Sequence, residues 1–186
     1  MRWFIKTRKK PKMINENLLL QKINKSNRIA ITGHIHPDGD CTGAVLGMYN
    51  YILDNAPEKT VKLCLEIPSA KFSYLRGFEL IGEAPYLEAE LLISLDAADR
   101  ERLGVREIML DTARDSICID HHITNTGFAR DNVILPGASS TCEVLYGLMD
   151  PEKISKETAA CLYTGIIHDT GVFKYSNTSP KTMEIA

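Results

Sequence analysis

Short, nearly unbroken apolar runs alternate along this chain with longer stretches in which apolar residues recur at helical spacing. The runs at 29–32, 61–65, 91–95 and 116–119 are partly β-branched, as expected of strands covered on both faces. Val45, Leu46, Tyr49, Ile52 and Leu53 fall on one face of a helix. Ala159, Leu162, Tyr163, Ile166 and Ile167 mark a second helix, with Ser155 as its expected cap. Ser140-Thr141-Cys142-Glu143 has capping-box spacing ahead of a third, which carries Val144, Leu145 and Leu148. Strands alternating with helices predict an α/β domain with a parallel sheet. Internal repeats and low-complexity segments are absent from the sequence.

The polar residues at the ends of these runs are more informative. The first run leads into Gly33-His34, the third into Asp96, and the fourth into Asp120-His121-His122. In open parallel sheets, ligands bind outside the carboxyl ends of the strands, so three strands are expected to deliver His or Asp to one edge. Asp169 is expected just past the end of a helix, with Gly171 turning the chain there. All five histidines fall in three short segments that also carry aspartates. Imidazole and carboxylate together suit Mn, Fe, Co or Zn. His34, Asp38 and Asp40 have H-x3-D-x-D spacing. Pro37 and Gly39 are expected to shape a turn there, and the two aspartates can point to different sides and serve different ions. Like charges this close are costly without cations. A centre with more than one ion is the expectation. The adjacent imidazoles of His121 and His122 are expected to splay apart, one to a metal and one to a substrate.

Composition narrows the classes. The 186 residues include 44% apolar ones, ordinary for a domain with a core, and net charge is -2, so no global field draws long nucleic acid or anionic membrane. No apolar run approaches the roughly 18 residues of a membrane span. The five cysteines show no CxxC spacing and read as buried thiols in a reducing cytoplasm. Cys41, directly after the first acidic segment, is in a position to approach a metal, but buried packing is the plainer reading. Residues 1–13 form a basic stretch, read as an extension ahead of the domain at 14–186.

The motifs and their order make the chain resemble the DHH phosphoesterases of the RecJ-like superfamily, a family named for the triplet seen here as Asp120-His121-His122. His34-Ile35-His36-Pro37-Asp38-Gly39-Asp40, Ala138-Ser139-Ser140-Thr141-Cys142-Glu143 and Asp169-Thr170-Gly171-Val172-Phe173-Lys174-Tyr175-Ser176-Asn177-Thr178 resemble its nanoRNase (oligoribonuclease) and pAp-phosphatase branch. The resemblance implies a Rossmann-like three-layer domain with a mainly parallel central sheet. It implies hydrolysis of short oligonucleotides or of 3′-phosphoadenosine 5′-phosphate (pAp). Two divalent ions are implied, Mn first and Mg or Co as alternatives. One would be held by His34, Asp38 and Asp96, the other by Asp40, Asp96, His121 and Asp169, with Asp96 bridging. Asp96 and His122 would carry the chemistry, His122 facing the substrate, and Asp120 would orient the histidines. Arg100 is a candidate phosphate contact, against the plainer reading of a solvated charge at a helix start. His36 and His168 occupy positions that the motif does not assign.

The chain departs from the family in one respect. A Gly-Gly-Gly-His motif, typical of the family's C-terminal substrate-binding domain, occurs nowhere in it. That domain is expected to be absent, and activity to be weak or poorly selective. Inorganic pyrophosphatases of the superfamily carry a longer histidine run and a Thr between the first aspartates, where this chain has Ile123 and Gly39. A cyclic-dinucleotide phosphodiesterase and a non-catalytic metal-binding fragment remain as other readings. The expected partner is a short oligonucleotide or nucleotide, without a stable complex with long nucleic acid and without a membrane; a homodimer is left open.

Overall fold

The computed structural model describes residues 16–186; the basic stretch at 1–13 lies outside them. In chain order the elements are α1 (Glu16–Lys25), β1 (Arg28–Thr32), α2 (Gly39–Asn55), β2 (Thr60–Leu63), β3 (Leu91–Leu95), α3 (Met109–Thr112), β4 (Asp115–Asp120), β5 (Asp131–Ile134), α4 (Thr141–Leu148), α5 (Lys156–Asp169) and α6 (Pro180–Ile185). Short 3-10 turns punctuate the loops, the longest at Glu101–Ile108. The sheet runs β2-β1-β3-β4-β5, every pairing parallel.

Side chains alternate across the strands, and the two faces differ in bulk. Ile29, Ile31, Leu91, Ile93, Leu95, Ile117 and Ile119 join the large core shared with α1, α2, α4 and α5. Ala30, Cys64 and Leu92 face a smaller cluster with Leu103, Met109 and Leu110, from the 3-10 segment and α3. The result is the three-layer α/β arrangement expected, with one thick helical layer and one thin one.

Two strands differ from expectation. β2 ends at Leu63 and is an edge strand with most of its residues partly or fully exposed. β5 was not legible, because Val133 is its one buried residue and so no apolar run marks it. The cap at Ser155 is present, its side chain accepting from Thr158 N. The box at Ser140 is half formed: its Oγ accepts from Glu143 N, but the Glu143 carboxylate turns to Ser139 N and Oγ (3.1 and 2.7 Å) and Thr182 Oγ1 (2.7 Å). Among the described residues, no helix is long and apolar enough to cross a membrane.

The strand order creates the site. After β1 the chain crosses to β2 on one side, then returns to place β3 on the other. Connections therefore diverge between β1 and β3 and leave a crevice at their carboxyl ends. His34 follows β1 and Asp96 follows β3, so both sit at that switch point.

Candidate metal centre

The chain leaves β1 through Gly33, where a Cβ would lie 2.3 Å from Cys41 Sγ and 3.1 Å from Leu95 O. Only glycine fits between α2 and the end of β3. The buried His34 then turns inward. Its Nδ1 donates to Ile35 O (2.7 Å), which leaves Nε2 facing Asp38 Oδ1 (3.8 Å) and Asp96 Oδ2 (3.5 Å). Burial opposes charge on His34, but Asp38, Asp96 and Cys41 outweigh it and raise its pKa. The Asp38 carboxyl moves the opposite way. Burial pushes it up, and the stronger pull of His34 and the Cys41 N–H brings it down.

The first acidic segment is a helix start and not a free turn. Asp38 is the N-cap of α2, its Oδ1 accepting from Asp40 N (3.0 Å) and Cys41 N (3.1 Å). Gly39 is already helical, so its role is space and not unusual angles: a Cβ there would lie 2.4 Å from the His168 ring. Asp40, in the first turn, points across to α4. Its Oδ2 accepts from Thr141 N (2.6 Å) and its Oδ1 from Cys142 N (3.0 Å). The carboxylate thus caps a neighbouring helix at its N-terminus, where the positive end of the helix dipole favours negative charge. Asp40 is wholly buried. Burial, then Asp96 and Asp169, raise its pKa well above the usual carboxylate range.

Asp96 lies at the middle of the group. It directly follows β3, in the left-handed region (φ 55°), a conformation aspartate tolerates better than most residues but at a cost. Its N–H donates to Ile119 O (3.1 Å). Thr141 Oγ1 donates to its Oδ1 (2.9 Å). One carboxylate oxygen faces His34 at 3.5 Å and the other faces His121 at 3.7 Å.

β4 supplies the histidine pair. His121 Nε2 lies 3.2 Å from Asp169 Oδ2, 3.7 Å from Asp96 Oδ1 and 3.9 Å from Asp40 Oδ2. Burial lowers its pKa, but these carboxylates raise it to about 9. His122 Nδ1 donates to Asp120 Oδ1 (2.7 Å), and this bond is the main reason that its pKa rises. The two rings do not splay apart. Their centroids are 4.6 Å apart and both approach Asp96 Oδ1 at 3.7 Å. The strand ends at Asp120, so strand alternation no longer governs the pair. Asp120 is fully buried and accepts as well from His121 N (2.8 Å) and Asn125 Nδ2 (2.7 Å). Asp169 is the last residue of α5 and not the first beyond it. Asn177 Nδ2 ties its carbonyl (3.1 Å) to that of Ser139 (3.0 Å).

His34, Asp38, Asp40, Asp96, His121 and Asp169 are therefore brought together, with Asp120 and His122 beside them. Arg100 is committed elsewhere: its guanidinium pairs with Asp111 and Glu107. His36 pairs with Glu66 (3.1 Å). Residues that sequence reasoning did not single out for the centre also take part. Thr141 and Asn125 hold Asp96 and Asp120, and His168 joins a set with Asp38 and Asp169. Asn125 stands three residues after the Asp120-His121-His122 triplet, but only the fold reveals its partner.

The donors fit a divalent ion. Ligand atoms on one ion with bonds near those of zinc stand roughly 3–4 Å apart, which matches the His34 and His121 separations above. In the set His34, Cys41 and Asp96, and again in Asp40, His121 and Asp169, the ligand atoms all lie within 4.8 Å of one another. The ion-pair partners of these carboxylates are all histidines, among the described residues.

Comparison with known proteins follows the same lines. The sequence model described as DHH family, N-terminal domain, matches residues 28–166. A bifunctional oligoribonuclease and PAP phosphatase, NrnA, from Mycoplasma genitalium (strain ATCC 33530 / DSM 19775 / NCTC 10195 / G37) is 31% identical over 175 residues, covering 90% of this chain and 54% of that protein. The protein of the same name from Bacillus subtilis (strain 168) is 27% identical over 173 residues, with the same 90% and 54% covered. Among solved structures, an exopolyphosphatase-related protein from Bacteroides fragilis superposes with a TM-score of 0.82 at 26% identity, over 92% of this chain and 54% of that one. The chain spans about half the length of the curated relatives it matches.

Proposed function

This chain belongs to the DHH family, and on that premise we propose that residues 14–186 form the catalytic domain of a divalent-metal-dependent phosphoesterase. Its substrates are short oligonucleotides or pAp, whose phosphodiester or phosphomonoester bonds it hydrolyses. The observation that carries the reading is Asp96, whose two oxygens face two separate histidine–carboxylate sets. The relatives named as oligoribonucleases and PAP phosphatases support the substrate class.

His34, Asp38 and Asp96 would hold one ion, and Asp40, Asp96, His121 and Asp169 the other. Two such ions, Mn in our reading, supply positive charge beside a phosphoryl group and make nearby water more acidic. The protein's own residues prepare that chemistry. Thr141 Oγ1 donates to Asp96 Oδ1, which restrains the shared carboxylate between the two sets. The α4 N-terminus holds Asp40 by two N–H groups. Asp120 keeps a proton on His122 Nδ1, so Nε2 is the atom that can pass a proton to or from a phosphoryl or leaving oxygen. His122 is half-exposed and open to substrate. The buried free thiols fit a reducing cytoplasm.

The test is hydrolysis of pAp and of a labelled RNA dinucleotide, side by side with Mn, by wild type and Asp96→Ala. Turnover by wild type alone supports the reading, and the faster substrate names the activity. Mn-loaded protein inert on both overturns it, and pyrophosphate and cyclic dinucleotides come next. Protein that binds Mn but is also inert on bis-p-nitrophenyl phosphate is a binding module.

A further inference from the structure

The two halves of the centre differ in one donor. Cys41 lies in the first turn of α2, fully buried, and its ligand atom joins His34 and Asp96 in the 4.8 Å set. Gly33 is bare beside Sγ, so the chain leaves room for the thiol next to the imidazole. His34 spends Nδ1 on Ile35 O. Its Nε2 therefore faces the two carboxylates, and a ring nitrogen of His34 lies within 4.8 Å of the thiol. The other site cysteine, Cys142, turns its Sγ to the Asp40 carbonyl at 3.6 Å. Cys118 and Cys161 accept from Asn125 and Asn50. On the His121 side, the gathered donors are imidazole nitrogen and carboxylate oxygen.

We infer that Cys41 is a ligand, and that the His34 half is a mixed nitrogen, sulfur and oxygen site for a thiophilic divalent ion such as Zn, Fe(II) or Co. The His121 half keeps the harder donor set that suits Mn or Mg. Thiolate shifts preference toward softer ions, while carboxylate and imidazole alone leave it broad. Binding replaces the S–H bond with a metal–sulfur bond and releases the proton to solvent. The inference rests on the metal-centre reading of the preceding subsection, and in the His34 half it replaces Mn by a softer ion.

Cobalt separates the two claims. Metal-free protein is titrated with Co(II) and followed by absorption. Visible d–d bands report cobalt bound at all, and a near-ultraviolet thiolate-to-cobalt band reports sulfur on it. The expected result is a thiolate band in wild type and in Cys142→Ser that is lost in Cys41→Ser, with d–d bands present in all three. Zn is further expected to displace cobalt from wild type at least about tenfold more readily, relative to Mn, than from Cys41→Ser. Wild-type d–d bands without a thiolate band overturn the role of Cys41 and leave the metal centre standing. A thiolate band that survives Cys41→Ser does the same. No cobalt bound at all overturns the metal centre and this inference together. Cys41→Ala serves if the serine variant does not fold, and the wild-type band alone decides whether sulfur is bound.

Discussion

The two edges of the sheet carry similar numbers of acids and treat them in opposite ways. At the amino-terminal edge, Lys22 lies 2.6 Å from both Asp115 and Asp131, the first residues of β4 and β5. Arg28, opening β1, pairs with Glu90 at 3.2 Å, and the other Glu90 oxygen accepts from Asn27 N. Each acid there has a fixed cation. At the carboxyl-terminal edge, Asp38, Asp40, Asp96 and Asp169 gather around histidines and backbone N–H groups. Imidazole is a cation only when protonated, so the charge balance at this edge depends on protons and not on a fixed cation such as Lys or Arg. The first arrangement is complete as folded. The second is the edge that our reading fills with divalent ions, because clustered carboxylates cost stability without cations.

The strongest way to break this comparison is Asp96→Ala. It removes the carboxylate that both histidine sets share, and divalent-ion binding and hydrolysis are each expected to fall by at least about 100-fold, beyond the usual cost of an outer-shell change. Equilibrium dialysis with Mn and turnover of pAp check both; a variant that retains metal and rate shows that the edge is not a metal centre. Asp120→Asn comes next. It leaves the six candidate ligands in place but loosens His122, so turnover is expected to drop about 10-fold while Mn affinity holds. Equal losses in both would mean that Asp120 serves the metal and not the imidazole.

Glu143 sharpens the contrast from within the same neighbourhood. It is a buried carboxylate satisfied by the Ser139 N–H and by two hydroxyls, with Lys181 Nζ 3.7 Å from its other oxygen, so it needs no divalent ion. Glu143→Gln is expected to cost about 1–3 kcal/mol, read as a lower urea midpoint with or without Mn. Burial pushes its pKa up, but Ser139 and Thr182 bring it below the ordinary 4.5. A depressed carboxyl stabilises the fold fully above its unfolded value and loses that contribution as pH falls through the folded one. The gap between wild type and variant should therefore be constant above about pH 5 and close in more acidic buffer; a gap that widens there refutes the assignment. The smallest effect belongs to Lys22→Met. Its acids are part-exposed, so the loss should be about 1 kcal/mol, and the same with and without divalent ions. A metal-dependent loss would couple the two edges.

The candidate ligands were legible because each stands at the end of an element that the sequence announces. Ile29, Leu91 and Ile117 begin or centre uninterrupted apolar runs, and the residues that follow are the ones delivered to the sheet edge. β5 escaped notice because a strand with one buried residue leaves no pattern. The partners of the ligands were equally hidden. Thr141 looks like one more residue at a helix start, yet it holds both Asp40 and Asp96 from more than forty positions away in the chain. Glu143 has the spacing of a capping box, but α6 offers Thr182 and the carboxylate goes there instead. Arg100 follows Asp96 closely, yet Asp111 and Glu107 hold it on its own surface segment.

Periodicity and local chemistry, which the sequence carries by itself, determined that this is an α/β domain and which His and Asp residues its strands present. Those properties depend on near neighbours along the chain, where spacing translates directly into a face or an end. The strand order, and with it the crevice between β1 and β3, depended on which strands pair across the sheet. So did the turning of Asp96 between His34 and His121, the capping of α4 by Asp40, and the meeting of Cys41 with His34. Each joins residues brought together by packing of the whole domain, and no local pattern records such a meeting.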